Sequence, residues 1–437
     1  VAASFPSSIP KTPVPIETLM EDFHRLILPG VVHWGHPAFL GYFGSTTTAP
    51  GILGEMLAAT LNVSAMTWAT SPAATELESV VVQWLRQMLQ LPEAFFGVVY
   101  DTASVATLHA LAAAREGLSL DVRQRGLSGR PELPALRIYT SDQAHTSIVK
   151  AAIMLGIGEE NVQRIATDDQ FRMDLNSLTL AIQQDRSVGY LPLAVVATVG
   201  TTSAAAVDPV PEIAALCRAE KIWLHVDAAY GGAISLVPEG RKFMAGVSES
   251  DSVVVNPHKW LFVPLDFSVL YTRHPNLLRE VFSLVPEYLR GDADQGEINY
   301  MDYGIQLGRR FRALKAWMVF SAFGESGLVG RIREHIRLAN LFASWVKEDL
   351  DFELLAPVHM GVVCFRTADE SLERANEINR DVVKSVNATG QAYLTHTMLH
   401  EKVAMRVAVG NVLTTEQHLV DVFRLVKQET ARLRLEK

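Results

Sequence analysis

Two short apolar runs, each closed by a residue that can do chemistry, constrain this 437-residue chain more than any other feature. The first, Ile222-Trp223-Leu224-His225-Val226, ends in Asp227 and continues Ala228-Ala229-Tyr230-Gly231-Gly232. The second, Ser252-Val253-Val254-Val255, runs into Asn256-Pro257-His258-Lys259-Trp260. Apolar runs of this length, bounded by turn-forming residues, read as strands buried on both faces. Asp227 and Lys259 are 32 residues apart, enough for a crossover helix and a return to a parallel strand. Both side chains then project from one sheet edge, the edge at which open α/β sheets bind ligands. Desolvation disfavours a charged amine, so a lysine there readily becomes a neutral nucleophile. Such an amine suits a carbonyl cofactor, of which pyridoxal phosphate is the usual one. A carboxylate against the pyridine nitrogen would keep that ring able to accept electrons.

The same alternation recurs along the chain. Strand-like runs at 98–102, 136–140, 193–199 and 267–272 are interleaved with helical patterns at 73–91, 105–116 and 210–220. This is an α/β pattern with a mostly parallel sheet. Farther on, 352–365, 392–397 and 405–409 read as strands, and 311–323, 326–349, 371–387 and 415–433 as helices, giving a smaller α+β unit. Hydrophobic residues make up 49% of the chain, enough for a large core in two or three domains. A net charge of −9 without a basic stripe argues against nucleic acid and anionic membranes as partners. No apolar segment reaches the roughly 20 residues that span a bilayer. Cys217 and Cys364 form no metal or disulfide pattern, which fits a reduced cytoplasmic setting and no metal site. Val1 is not methionine and no secretory signal follows it, so a processed or truncated start is expected.

His225-Val226-Asp227-Ala228-Ala229-Tyr230 and Asn256-Pro257-His258-Lys259-Trp260 resemble segments of the group II pyridoxal-phosphate decarboxylases, in particular the aromatic-L-amino-acid decarboxylases. The likeness runs in matching order from about Leu26 to the C-terminus. It passes through His36-Pro37, Tyr42-Phe43, Ser71-Pro72-Ala73, Thr75-Glu76-Leu77-Glu78, Ser141-Asp142-Gln143-Ala144-His145, Gly200-Thr201-Thr202 and Leu307-Gly308-Arg309-Arg310-Phe311-Arg312. The resemblance implies a fold-type I architecture of class α/β. A large domain with a mostly parallel seven-stranded sheet would cover residues 71–325, and a small C-terminal α+β domain 326–437. Residues 1–70 would supply an N-terminal arm and a pocket and dimer segment. A homodimer with active sites at the subunit interface follows from the same likeness.

The resemblance also distributes roles. Lys259 would carry pyridoxal 5'-phosphate, Asp227 would hold the pyridine nitrogen protonated, and His145 would stack on the ring. Ala103, Ser104, Thr201, Ala229, Asn256 and His258 would complete the cofactor site. Ala103 and Ser104 open a helix whose first N–H groups suit a phosphate, a simple N-cap being the other reading. Asp101 stands where the family usually has glycine, and an acid beside a phosphate is unfavourable. Tyr42, Phe43, Ser45, Met66 and Trp68 would line the substrate pocket. Gly44, Ser64 and Met66 depart from the family residues in a way that widens it, which leans toward an indole over a catechol. Residues 286–304, rich in Gly and Asp, read as a mobile loop. Counting back from Leu307-Gly308-Arg309-Arg310 puts the family's proton-donating tyrosine at Tyr300, with Tyr303 close by.

The expected reaction is decarboxylation of an aromatic L-amino acid to the arylalkylamine and CO₂. Tryptophan or 5-hydroxytryptophan is favoured over tyrosine, dihydroxyphenylalanine and phenylalanine. Three alternatives stay open: an aromatic acetaldehyde synthase on the same scaffold, an acidic amino acid decarboxylase, and a catalytically silent binding protein of the same fold.

Overall fold

The computed structural model describes residues 4–284, 297–369 and 371–436. Seven β-branched, apolar segments become strands: β1 (Phe96–Tyr100), β2 (Leu136–Ser141), β3 (Val162–Ile165), β4 (Leu191–Thr198), β5 (Trp223–Asp227), β6 (Ser252–Val255) and β7 (Ser268–Thr272). They form one sheet in the order β1-β7-β6-β5-β4-β2-β3. β2 pairs in parallel with β3 and β4, β4 with β5, and β5 with β6. β7 runs antiparallel to β6 and to β1, so six strands point one way and the mostly parallel expectation holds. β2, β6 and β7 are buried at every position, as a sheet covered by helices on both faces requires.

Register places the chemistry. Thr198 on β4 lies opposite Asp227 on β5, and Asp227 lies opposite Val254 on β6. The ends of β4, β5 and β6 are therefore level, and the residues that follow each of them share one edge. β1 ends on that edge too, and helix Ala103–Glu116 starts there and runs back over β5, β6 and β7.

The second unit is an antiparallel sheet of order β10-β11-β9-β8, built from β8 (Phe352–Leu354), β9 (Val362–Thr367), β10 (Thr395–Leu399) and β11 (Lys402–Ala408). Helices Leu372–Ala388 and Glu416–Glu436 back it. The strand expected over 352–365 is thus two strands, β8 and β9, that pair with each other. The two helices expected between 311 and 349 are both present within Ala313–Glu348 and meet at Gly324, where the backbone leaves the helical conformation. With φ 59° that residue is left-handed, a conformation glycine tolerates without strain.

Residues 38–46 do not stand apart as an arm. Leu40 donates its N–H to the Tyr393 carbonyl (2.8 Å) and accepts one from Ala408 (2.9 Å), and the Thr46 hydroxyl donates to the Gly410 carbonyl (3.2 Å). The first pocket loop is therefore stitched to the small unit. Nearby, Arg309 and Glu78 form a buried bidentate pair at 2.6 and 3.0 Å. Arg309 also donates to the carbonyls of Ala65 and Val99, leaving the ion pair fully hydrogen-bonded. This pins the 64–66 segment, β1 and the chain after residue 300 to one another. Among the described residues no helix is long and apolar enough to cross a membrane.

Candidate active site

Lys259 sits in a one-turn helix, Pro257–Trp260, at the end of β6, and lines a cavity of about 1130 Å³. Its amine lies 5.0 Å from the centre of the Phe43 ring. Burial lowers the affinity of this amine for its proton, Asp227 opposes the shift, and Arg406 adds to it. The neutral nucleophile expected from the sequence is thus favoured by the site.

Asp227 is 6% exposed at the end of β5, and its Oδ1 accepts the Ala229 N–H at 3.0 Å. Ala229 contributes backbone only, its carbonyl accepting the Asn256 N–H (3.1 Å) and so locking the ends of β5 and β6 together. His145 follows β2 and lines the cavity. Its Nδ1 accepts the Ser147 N–H (3.1 Å), which leaves Nε2 to act outward. Burial lowers its proton affinity, and Asp227 and Lys259 both act on it, in opposite senses. His258 is also buried against the cavity, and burial holds its pKa down at about 3. Its Nδ1 accepts the Phe267 N–H (2.9 Å), so the neutral ring carries its proton on Nε2 as a donor.

The pocket loop brings Tyr42, Phe43 and Ser45 to the same cavity. Phe43 stacks on Tyr230 (4.0 Å), and Tyr230 stacks on Trp260 (4.9 Å). Trp260 Nε1 donates to His335 Nδ1 (3.0 Å), anchoring this aromatic column to the Ala313–Glu348 helix. Tyr42 stacks flat on Trp34, at 5.3 Å and 2°.

Arg406 on β11 is the site residue that sequence reasoning missed. It is buried beside Phe43, 4.6 Å from the ring centre. It donates to the carbonyls of Ser203 (3.0 Å) and Tyr42, and its Nη2 has no partner among the described residues. A buried guanidinium with an unused N–H is a ready partner for a carboxylate. The available signal was faint: one arginine in the otherwise apolar run Val403-Ala404-Met405-Arg406-Val407-Ala408.

Several expectations shift. Thr201 is fully buried, its hydroxyl accepting the Ala206 N–H (3.0 Å) inside the turn after β4, and Thr202 and Ser203 line the cavity instead. A one-residue error is natural in a turn, where side-chain direction no longer follows the strand's alternation. Met66 and Trp68 do not line the Lys259 cavity of their own chain. The Met66 carbonyl accepts the Met301 N–H (3.1 Å), and Trp68 binds Asn299 and Glu76. Gly44 abuts the Gly410 backbone, and Ser64 bonds to Arg309 and Ser71, so neither widens this cavity.

Tyr300 does not line the Lys259 cavity of its own chain. It is 3% exposed, its hydroxyl hydrogen-bonded to Ser79 Oγ (2.9 Å) and Arg309 lying 4.9 Å from its ring. Burial first, then Glu78, push its pKa up. The Tyr303 carbonyl accepts from the Tyr100 hydroxyl, and the Tyr303 ring packs on Phe96. Of the expected loop 286–304, residues 286–296 lie outside the described residues.

The donor set fits pyridoxal phosphate. Lys259 and Asp227 share an edge, and Asp227 Oδ1 has only one backbone partner. The Asn256 Oδ1 is buried without a partner among the described residues. Helix Ala103–Glu116 presents its first N–H groups, and its N-cap residue makes no side-chain capping bond.

Comparisons with known proteins agree. The family model described as the pyridoxal-dependent decarboxylase conserved domain matches residues 1–368. Tyrosine decarboxylase 2 of Arabidopsis thaliana is 40% identical over 98% of this chain and 79% of its own length. A phenylacetaldehyde synthase of the same plant is 38% identical over 98% of this chain and 89% of that protein. The crystal structure of Oryza sativa TDC with PLP and tryptamine superposes with a TM-score of 0.93 at 36% identity, covering 98% of this chain and 90% of that one.

Proposed function

We propose that this chain, which belongs to the pyridoxal-dependent decarboxylases, removes the carboxylate of an aromatic L-amino acid and releases the arylalkylamine. The observation that carries the reading is the convergence of His145, His258 and Lys259, from the ends of β2 and β6, on one cavity walled by Phe43 and Tyr42, with Asp227 at the end of the neighbouring β5 acting on both His145 and Lys259. Bound pyridoxal phosphate supplies an electron sink conjugated to the substrate amine. Lys259 would hold the cofactor through its Nζ, Asp227 would pair with the ring nitrogen, His145 would pack against the ring, and His258 with the helix beginning at Ala103 would hold the phosphate. The Phe43–Tyr230–Trp260 column excludes water from the lysine, and the unpaired Nη2 of Arg406 suits the departing carboxylate or its neighbour. The aromatic wall of Phe43 and Tyr42 favours an aromatic side chain. Tryptophan and 5-hydroxytryptophan head the substrate series to be tested, on the likeness to the Oryza sativa structure solved with tryptamine. The test is an amine-and-CO₂ assay with tryptophan, 5-hydroxytryptophan, tyrosine, dihydroxyphenylalanine, phenylalanine and glutamate, with peroxide followed in parallel. Turnover of glutamate alone would overturn the aromatic assignment.

A second reading, release of an aldehyde, draws support from the 38% identical phenylacetaldehyde synthase. The proton donor stays assigned to Tyr300, with Tyr303 as the other candidate. Met301, next to Tyr300, is bonded to the Met66 carbonyl, so an interface that carries Met66 to the partner's cavity carries Tyr300 with it. Tyr300→Phe is expected to cut amine formation by about 10²-fold, the lower range for losing one acid catalyst. Dioxygen-dependent aldehyde, ammonia and peroxide should rise in its place. Unchanged amine formation in Tyr300→Phe, with that pattern in Tyr303→Phe instead, would move the role to Tyr303.

The reading includes a homodimer. Helix Ala49–Leu61 turns Gly54 against the backbone of Lys315, while Ile52, Leu53, Met56, Leu57 and Leu61 stand exposed on its other side. A contiguous apolar face of this kind marks an interface. A second copy covering it would let Met66 and Trp68 serve the partner's cavity, where their own chain does not use them. Light scattering should report a dimer for the native chain. The double variant Met56→Asp, Leu57→Asp should be monomeric and inactive; a fully active monomer would remove the shared-site reading.

A further inference from the structure

Resting on the reading of the Lys259 cavity as a pyridoxal phosphate site, we propose that Asp101 is a built-in anion of the phosphate cup and sets how tightly this chain holds its cofactor. β1 ends at Tyr100 on the edge shared by Asp227 and Lys259, and helix Ala103–Glu116 begins three residues later. The first N–H groups of a helix lack intrahelical acceptors, and together with the helix dipole they draw an anion. The chain supplies one itself. Asp101 Oδ1 accepts the Thr102 N–H at 2.6 Å and the Thr102 hydroxyl at 3.2 Å.

Asp101 is held from further sides, through its backbone and its carboxylate. The Asp101 carbonyl accepts the Ser268 hydroxyl (3.3 Å) at the start of β7, next to Phe267, whose N–H binds His258. Asp101 Oδ2 accepts Gln306 Nε2 (3.3 Å), in the stretch after Tyr303. Asp101 therefore stands between the helix N-terminus, the residue preceding Lys259 and the chain leaving the loop. An arriving phosphate competes for the Thr102 donors and meets a second negative charge in a half-buried site, where screening by water is incomplete. Either the carboxylate yields its bond to Thr102, or it stays and repels. Both reduce the affinity for the cofactor, so occupancy follows cofactor supply by mass action.

The test is titration of the apoenzyme with pyridoxal phosphate, followed by the absorbance band of lysine-bound cofactor, for the native chain, D101N and D101G. Pyridoxal, which lacks the phosphate, is titrated in parallel, and inorganic phosphate serves as a competitor. D101N keeps the size of the side chain and an acceptor for Thr102 but removes the charge; D101G removes both. The dissociation constant for pyridoxal phosphate is expected to fall about tenfold or more in both variants, a modest like-charge effect for a partly buried site. Inorganic phosphate should compete better by a similar factor, while pyridoxal binding stays within about twofold of native. Unchanged or weaker pyridoxal phosphate binding by D101N, or an equal gain for pyridoxal, overturns the proposal. A native titration that shows no lysine-bound band and matches that of K259A instead overturns the reading of the cavity, and the proposal with it.

Discussion

Lys259→Ala should abolish decarboxylation, with a fall in kcat/KM on the order of 10⁴-fold or more, about 5.5 kcal/mol at the transition state. The amine is the group whose hold on its proton burial and Arg406 weaken, and it stands beside the aromatic column formed by Phe43, Tyr230 and Trp260. The loss is expected to be chemical, not structural. Lys259 forms no salt bridge among the described residues, so removing it strands no paired charge in the core. Circular dichroism and melting should therefore stay close to native, while the absorbance band of lysine-bound cofactor disappears. Lys259→Arg separates charge from nucleophilicity: it keeps a cation beside Phe43 but cannot offer a neutral amine. If either variant retains turnover within tenfold of native (about 1.4 kcal/mol), Lys259 is not the attachment point.

Asp227→Asn should be the next most damaging change, with kcat reduced on the order of 10³-fold, about 4 kcal/mol. The amide preserves the hydrogen bond to Ala229 but cannot hold a proton on a pyridine nitrogen, so the variant isolates the electrostatic role. The sign of its side effects is fixed by the local charges. Asp227 raises the proton affinity of both Lys259 and His145, and its removal lets burial depress them further. Lysine thus remains available as a neutral amine, and cofactor attachment should survive while turnover is lost. A spectrum with the lysine-bound band intact and a missing product is the expected pair of results. Near-native rates in the Asn variant would mean that the ring needs no proton from this carboxylate, and the assignment of Asp227 would be wrong.

Tyr300 shows what counting along a sequence leaves out. Its position relative to Leu307-Gly308-Arg309-Arg310 is unambiguous, yet it sits beside Ser79 and Arg309 in the core, on contacts that reach 221 residues back along the chain. A loop tyrosine has no local pattern that distinguishes a ring turned inward from one turned over a site. Thr201 and Thr202 make the same point at smaller scale, since one bond to Ala206 decides which hydroxyl faces the cavity.

What the sequence determined by itself was the sheet and the residues at its ends. Apolar runs of strand length, separated by amphipathic helices, leave few options but a largely parallel sheet with level C-terminal ends. Lys259 and Asp227 follow directly because each closes such a run, whereas His145 came from the family resemblance, and the backbone carries all three to one edge. Tertiary structure alone decided the rest. Arg406 reaches the Tyr42 carbonyl across 364 residues, Trp260 binds His335 across 75, and the pocket loop joins the small unit through Leu40, Tyr393 and Ala408. Asp101 was visible as an oddity, but its grip on Thr102 and Gln306 was not. Strand ends are set by short-range pattern, whereas these contacts depend on how distant segments fill one volume, and no periodicity within either segment encodes that.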